Sequence, residues 1–270
     1  MKKTVTFLIC ALLLFSCGRK EVTIEEQVLI NKIQTPENLN IFYNSMTNLT
    51  VQVIYETGAE PYTGKTLRDK YYWQLLEDNL QSIFTSRNQT VALTVPKTLT
   101  EMTEIPSDQK TTWTAEEIVA KAEAVGNPKS ETTHARFVIL FLNGHFKNGE
   151  DVATNVIGLN VTGTTVIAIF KDVVKEMANL QGEQIAKFGE QSTLVHEMGH
   201  ALGLVNNGVP LSSSHHDSEH GAHCTNPECV MYWQNEGGKD FMQFLQKIMQ
   251  SGDTVLYGQE CIDDFKKYKP

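Results

Sequence analysis

The chain has 270 residues, of which 41% are hydrophobic and 20% charged, and its formal net charge is −9. That length suits one large domain or two small ones, and it buries a substantial core without help from disulfides. The acidic balance and the lack of any long Lys/Arg run argue against a nucleic-acid partner, because phosphate binding rests on clustered cations.

In chain order, Met1-Lys2-Lys3 supplies a basic start and Thr4 to Phe15 an apolar stretch too short to span a bilayer, the pattern of a secretory signal. Leu14-Phe15-Ser16-Cys17, followed by Gly18, resembles a bacterial lipobox. This implies a lipoprotein signal peptide over residues 1–17, with Cys17 acylated as the mature N-terminus and the protein anchored in the bacterial cell envelope, facing the periplasm or the cell surface. Two or three acyl chains anchor a protein stably. Residues 18–40 are polar and read as a tether. No later segment reaches the roughly 18 consecutive apolar residues of a membrane span, and residues 41–270 read as a single domain.

Leu49 to Tyr55 alternates and is β-branched, so it predicts a strand. Gly58 and Pro61-Tyr62-Thr63-Gly64 predict a loop. Leu67, Tyr71, Leu75, Leu76, Leu80 and Ile83 recur at helical spacing and predict one long amphipathic helix over Thr66 to Ser86. Val91 to Val95 reads as a second strand. Thr114, with Glu117 three residues on, has the form of a capping box at the start of a helix that stops at Gly126-Asn127-Pro128. The continuous apolar run Arg136 to Leu142 suits a central buried strand, and Asn143-Gly144 a turn. Val156 to Val161 and Thr165 to Phe170 read as two further strands, Lys171 to Ala178 as a short helix, and Gln184 to about Leu204 as a long one. The order of elements predicts an α/β fold with a mixed, twisted sheet packed on helices.

The last of these helices carries His196-Glu197-Met198-Gly199-His200. Positions i and i+4 share a helix face, so two imidazoles converge on one point, as Zn2+ requires. Glu197, beside the first ligand, is placed to act as general base on a zinc-activated water and then to pass the proton to a leaving amine. Downstream lies a histidine-rich stretch with His215, His216, Asp217, His220 and His223. Any of its four imidazoles can complete a tetrahedral site, and Asp217 suits the orienting of such a ligand. Cys224, Cys229 and Cys261 remain once Cys10 and Cys17 are assigned to the signal. Cys224 and Cys229 flank the turn-like Asn226-Pro227 and are expected to pair as a disulfide, leaving Cys261 over.

His196-Glu197-x-x-His200-x-x-Gly203 resembles the metzincin clan of zinc peptidases. The clan pattern puts a third His three residues after the glycine, where this chain has Asn206. His223-Cys224, then Cys229 and Met231, resembles the archaemetzincin pattern, in which a His-Cys pair is followed by Cys-x-Met. This resemblance implies His223 as third zinc ligand, ahead of His220, His215 and His216, and Met231 as the residue of a Met-turn below the metal. Glu219 is an alternative of another kind, since a downstream Glu is the third ligand of gluzincins. The likeness spans about residues 136–233 and is specific over 193–232. Two departures stand out. Residues are inserted between Gly203 and His223, and the further cysteine pair that helps hold a structural zinc in archaemetzincins is missing, so one catalytic ion is expected. In some metzincins a Tyr near the Met-turn stabilises the oxyanion; Tyr232 fits that role and equally fits a packed aromatic beside Trp233. By analogy, Thr165 to Phe170 is the edge strand that receives extended peptide. The implied function is a monomeric zinc metalloendopeptidase acting on peptide or protein substrates. The competing reading is a catalytically inactive lipoprotein that keeps the peptidase fold for protein or metal binding.

Overall fold

The computed structural model describes residues 34–236 and 239–270. The signal peptide, Cys17 and the tether up to residue 33 lie outside the described residues. The packed body begins earlier than residue 41. Gln34 is buried and its Nε2 donates to the carbonyls of Ala201 (2.7 Å) and Thr164 (3.1 Å). Thr35 caps a short helix, α1 (Pro36–Asn40), by accepting from the Asn38 N–H, and Leu39 and Phe42 enter the core behind it.

The centre is a six-stranded mixed sheet. Its main path runs β2 (Ala92–Thr94), β1 (Asn48–Glu56), β5 (His134–Leu142), β9 (Val166–Phe170) and β8 (Gly158–Asn160), and β3 (Thr103–Ile105) also pairs with β1. All pairings are parallel except β8 with β9. Strands of a parallel sheet covered on both faces read as continuous apolar runs, and Phe137–Leu142 and Val166–Phe170 are buried throughout. The expectation that Thr165 to Phe170 forms the edge is therefore corrected. β9 lies between β5 and β8, and the short β8 is the edge.

α2 (Gln74–Ser86) begins well after Thr66. Asp69 takes a left-handed φ of 61°, Lys65 and Tyr71 form a β-bridge, and Leu67 is 91% exposed, so the helical spacing of Leu67 and Tyr71 is fortuitous. α3 (Ala115–Val125) carries the reciprocal Thr114/Glu117 capping box and packs on β5 and β9. Two helices follow in direct succession, α4 (Lys171–Gln181) and α5 (Glu183–Ala201), joined at Gly182 with φ 95°. They are locked by a buried ion pair, Lys171 Nζ to Glu190 Oε2 at 2.5 Å. Glu190 also accepts the Tyr62 N–H at 2.7 Å. This second contact satisfies the carboxylate's remaining oxygen, which a buried charge needs.

A small sheet, a hairpin and two helices beyond those read from the sequence complete the body. The small sheet of β4 (Thr112–Trp113), β6 (His145–Asn148) and β7 (Asp151–Ala153) stands beside α3. A hairpin of β10 (His216–Asp217) and β11 (His223–Cys224) crosses the C-terminal side of α5. The chain ends in α6 (Lys239–Ser251) and α7 (Gln259–Lys267), and α7 packs on α2.

Candidate metal centre

α5 is buried from Phe188 to Gly199 and runs past β8 and β9. One face of its last turns presents His196, Glu197 and His200 to a cleft of about 980 Å³. The cleft is walled by β8, by Val119 and Ala120 of α3, and by Phe146. The chain leaves α5 through Gly203 (φ 88°), and Val205 and Asn206 are also left-handed at 50° and 62°. Asn206 faces solvent and takes no part in the centre. The hairpin then returns the chain, and β11 sets His223 opposite the helix.

The ligand atoms of His196, His200 and His223 all lie within 4.8 Å of one another. The Nε2 of His196 is 3.0 Å from that of His200 and 3.3 Å from that of His223. Zinc–imidazole bonds of roughly 2.0–2.1 Å in a tetrahedron require nitrogens about 3.3–3.4 Å apart, so the donor set fits one such ion. The outer nitrogens reinforce that fit. His196 Nδ1 bonds the Val230 carbonyl at 2.7 Å and His223 Nδ1 bonds the His220 carbonyl. A carbonyl only accepts, so both rings carry the proton on Nδ1 and turn the Nε2 lone pair inward.

Glu197 is 3% exposed, and its Oε2 accepts the main-chain N–H of Asn160 on β8 at 2.6 Å. Ile157 accepts from Phe170, and Val161 donates to Val166. The odd-numbered residues of β8 thus face β9, and Gly158 and Asn160 turn their main-chain groups toward the cleft. Met231 lies under the helix. A Cβ on Gly199 would collide with its Sδ, so only glycine lets the turn approach that closely.

The other candidate ligands are placed elsewhere. His216 Nε2 bonds the Gly221 carbonyl at 2.8 Å. His220 lines the cleft, but its Nδ1 bonds Asp217 at 2.8 Å and its ring stacks on Trp233 at 3.8 Å. Asp217 orients His220, and Glu219 is exposed. Tyr232 donates its hydroxyl to Gln234 at 3.4 Å and is not among the residues lining the cleft.

His215 belongs to a second cluster. Ligand atoms of His215, Cys224 and Cys261, all buried, lie within 4.8 Å of one another, and Cys229 Sγ adjoins Cys261 Sγ at 3.5 Å. The expected Cys224–Cys229 disulfide is not formed, nor is any other among the described residues. α7 brings Cys261 next to both of the other cysteines. A tetrahedral thiolate site has sulfurs roughly 3.8 Å apart, close to the observed spacing. His215 Nδ1 faces Cys224 Sγ at 3.4 Å, and its Nε2 bonds Asp264 of α7 at 2.8 Å. Hydrogen bonding to Asp264, then to Cys224, raises the His215 pKa to about 10. Hydrogen bonds from Cys229 and Cys261 hold the Cys224 thiol far below the usual range, and burial pushes Cys229 up to about 12. The N–H groups of Asn226 and Gly258 point at the sulfurs of Cys224 (3.4 Å) and Cys229 (3.1 Å). Sequence reasoning missed Asp264 and the fourth partner of these cysteines. The available signal was Cys261-x-x-Asp264, two metal- or imidazole-binding groups one helical turn apart.

No protein-family model matches the chain, and no curated protein is similar to it. Two solved structures are similar over 80% of this chain and 99% of their own. One is a zinc-dependent peptidase from Methanocorpusculum labreanum (strain Z), 11% identical with a TM-score of 0.42. The other is archaemetzincin from Archaeoglobus fulgidus complexed with malonate, 13% identical with a TM-score of 0.35.

Proposed function

We propose that the chain is a zinc-dependent peptidase whose catalytic ion is held by His196, His200 and His223. The carrying observation is the convergence of the Nε2 atoms of these three imidazoles beside Glu197 at the foot of a cleft edged by β8. Zinc bound there would supply Lewis-acid chemistry, polarising the scissile carbonyl and making water acidic enough to attack near neutral pH. The chain's own groups do the rest. The Asn160 N–H holds one oxygen of Glu197 in place, and the carboxylate so oriented would take the proton from the attacking water and deliver it to the departing nitrogen. The outward main-chain groups of Gly158 and the carbonyl of Asn160 offer an edge to which an extended peptide can add as a further strand.

A second zinc, with a structural role, belongs to this proposal. His215, Cys224 and Cys261 would hold it, with Cys229 beside Cys261 as the fourth donor of a Cys3His set and Asp264 behind the imidazole as the outer partner that a ligating histidine commonly has. Met231 acts as the Met-turn residue below the catalytic site. Anchoring through an acylated Cys17 and an envelope location extend the same reading, with a peptide or protein as substrate and a monomer as the acting form.

The test is zinc analysis together with hydrolysis of casein and a peptide library, for the wild type and Glu197→Gln. The variant is expected to retain its zinc and lose about 10²- to 10⁴-fold in turnover, the usual worth of a positioned acid–base group. A zinc-replete wild type that cleaves nothing, and so matches Glu197→Gln, would establish the binding-protein reading instead.

A further inference from the structure

His220 stands out among the groups that the proposed mechanism leaves unused. It lines the cleft next to the three converging imidazoles and is excluded from them. Its ring is held by two contacts and its main chain by a third. Asp217 Oδ2 bonds Nδ1 at 2.8 Å, Trp233 stacks against the ring at 3.8 Å with an interplanar angle of 5°, and the His220 carbonyl is the partner of His223 Nδ1. The supporting turn is closed in its own right. The His220 N–H donates to the Asp217 carbonyl at 3.1 Å, and the Glu219 N–H donates to Asp217 Oδ1 at 3.2 Å. A side chain fixed to this degree has little rotamer freedom left to lose when it meets a ligand.

The tautomer follows from the partner. An ionised carboxylate only accepts, so Nδ1 carries the hydrogen and Nε2 of the neutral ring keeps its lone pair. No hydrogen bond to Nε2 occurs among the described residues. The cleft wall therefore holds an oriented acceptor next to the metal-binding face. On β8, which also lines the cleft, the Asn160 N–H is already committed to Glu197. An extended peptide lying between the walls presents main-chain N–H groups alternately to each side.

We propose that His220 is a substrate-binding residue of this cleft, its Nε2 accepting one main-chain N–H of the bound peptide. The proposal rests on the reading of the cleft as a peptide site and adds a specific recognition contact to it. The contact also gives the inserted loop a task, since His220 lies between Gly203 and His223.

The experiment is a chemical double-mutant cycle read by calorimetry on the zinc-loaded protein. Two series of peptide hydroxamates are used, one extending to each side of the metal-binding group, with every amide N–H replaced in turn by N-methyl. In the wild type, one methylation should weaken binding by about threefold to tenfold through loss of that hydrogen bond, beyond its effect in the variant. His220→Phe keeps the stack on Trp233 and removes the acceptor. It should bind the parent hydroxamate weaker by a similar factor and ignore that one methylation. His220→Gln, which restores an acceptor, should recover part of the sensitivity. Equal losses in wild type and His220→Phe at every position would overturn the contact. So would loss of zinc in His220→Phe, which would show that the side chain serves the ligand His223 and not the substrate. Cleavage is not read here, so a wild type that shows the cycle but hydrolyses nothing sinks the peptidase reading alone. Failure of every hydroxamate to bind sinks the peptide-cleft reading and this contact together.

Discussion

Replacing Cys261 by Ser tests whether the sulfur cluster is a metal site. Cys261 Sγ is central to it, within 4.8 Å of the ligand atoms of both His215 and Cys224 and 3.5 Å from Cys229 Sγ. Three segments meet there: the β10/β11 hairpin, the turn through Cys229, and α7. An ion that binds only the folded chain stabilises it by RT ln(1 + [L]/Kd), about 4 kcal/mol when free zinc is a thousandfold above Kd. For a chain of this size each kcal/mol shifts the melting temperature by roughly 2–4 °C, so losing the ion should lower it by about 8–16 °C. The expected zinc content falls from two ions per chain to one, whereas Glu197→Gln keeps both. Burying a hydroxyl carries its own cost, so the melts are repeated in chelator, where the gap between wild type and Cys261→Ser should shrink to a small residue. A gap of the same size with and without zinc would refute the reasoning, and so would a single ion in the wild type or a disulfide found by mass spectrometry of the intact protein.

Two further outcomes follow from packing and charge. Gly199→Ala forces a Cβ into Met231 Sδ and should cost about 1–3 kcal/mol in urea unfolding, as overpacking of a tight core does; an unchanged midpoint would show that Met231 moves aside freely. Glu117 is held below the ordinary carboxylate range by Lys110 first and by the Thr114 N–H second. A depressed folded-state pKa contributes stability that is present above the unfolded value near 4.5 and is lost as pH falls through the lower folded value. Unfolding measured from pH 6 down to pH 3 should therefore be flatter for Glu117→Gln than for wild type, and parallel curves would remove the capping box from the acid response.

The sequence made legible what depends on local spacing. His196, Glu197 and His200 follow from a period of 3.6, and the Thr114/Glu117 cap from a distance of three residues. The continuous run of β5 announced a strand buried on both faces. The errors come where contact is non-local. Cys224 and Cys229 are near neighbours in the chain, which suggests a pair, yet both are free and α7 delivers a third cysteine, Cys261, to the same cluster. The edge role of Thr165 to Phe170 rests on analogy alone, against the continuous apolar run of Val166–Phe170, and the strand read over Val156 to Val161 supplies the edge as β8. α2 was drawn too long because apolar spacing says nothing about the left-handed φ of Asp69 that ends the preceding turn.

The inserted loop explains how one short segment can serve two clusters. Side chains alternate along a strand, so adjacent residues of β11 must face opposite ways. His223 turns to the cleft, and Cys224 turns to Cys229, Cys261 and His215. Their cross-strand partners are Asp217 and His216. Asp217, opposite His223, stays on the cleft side and there orients His220. Because the period is two, a slip of one residue in this hairpin would exchange the faces, sending an imidazole to the sulfur cluster and a thiol to the cleft. The register is held against that slip from outside the hairpin by the Cys224 N–H bond to the Met231 carbonyl at 2.8 Å, while the Thr225 N–H bond to the His215 carbonyl at 2.8 Å extends the hairpin's own ladder by one rung. The position of the third imidazole is therefore set through the same turn that carries Met231 and Cys229. On the proposed function the sulfur cluster would position His223, and Cys261→Ser should then weaken zinc binding at His196, His200 and His223 without touching any of these three residues.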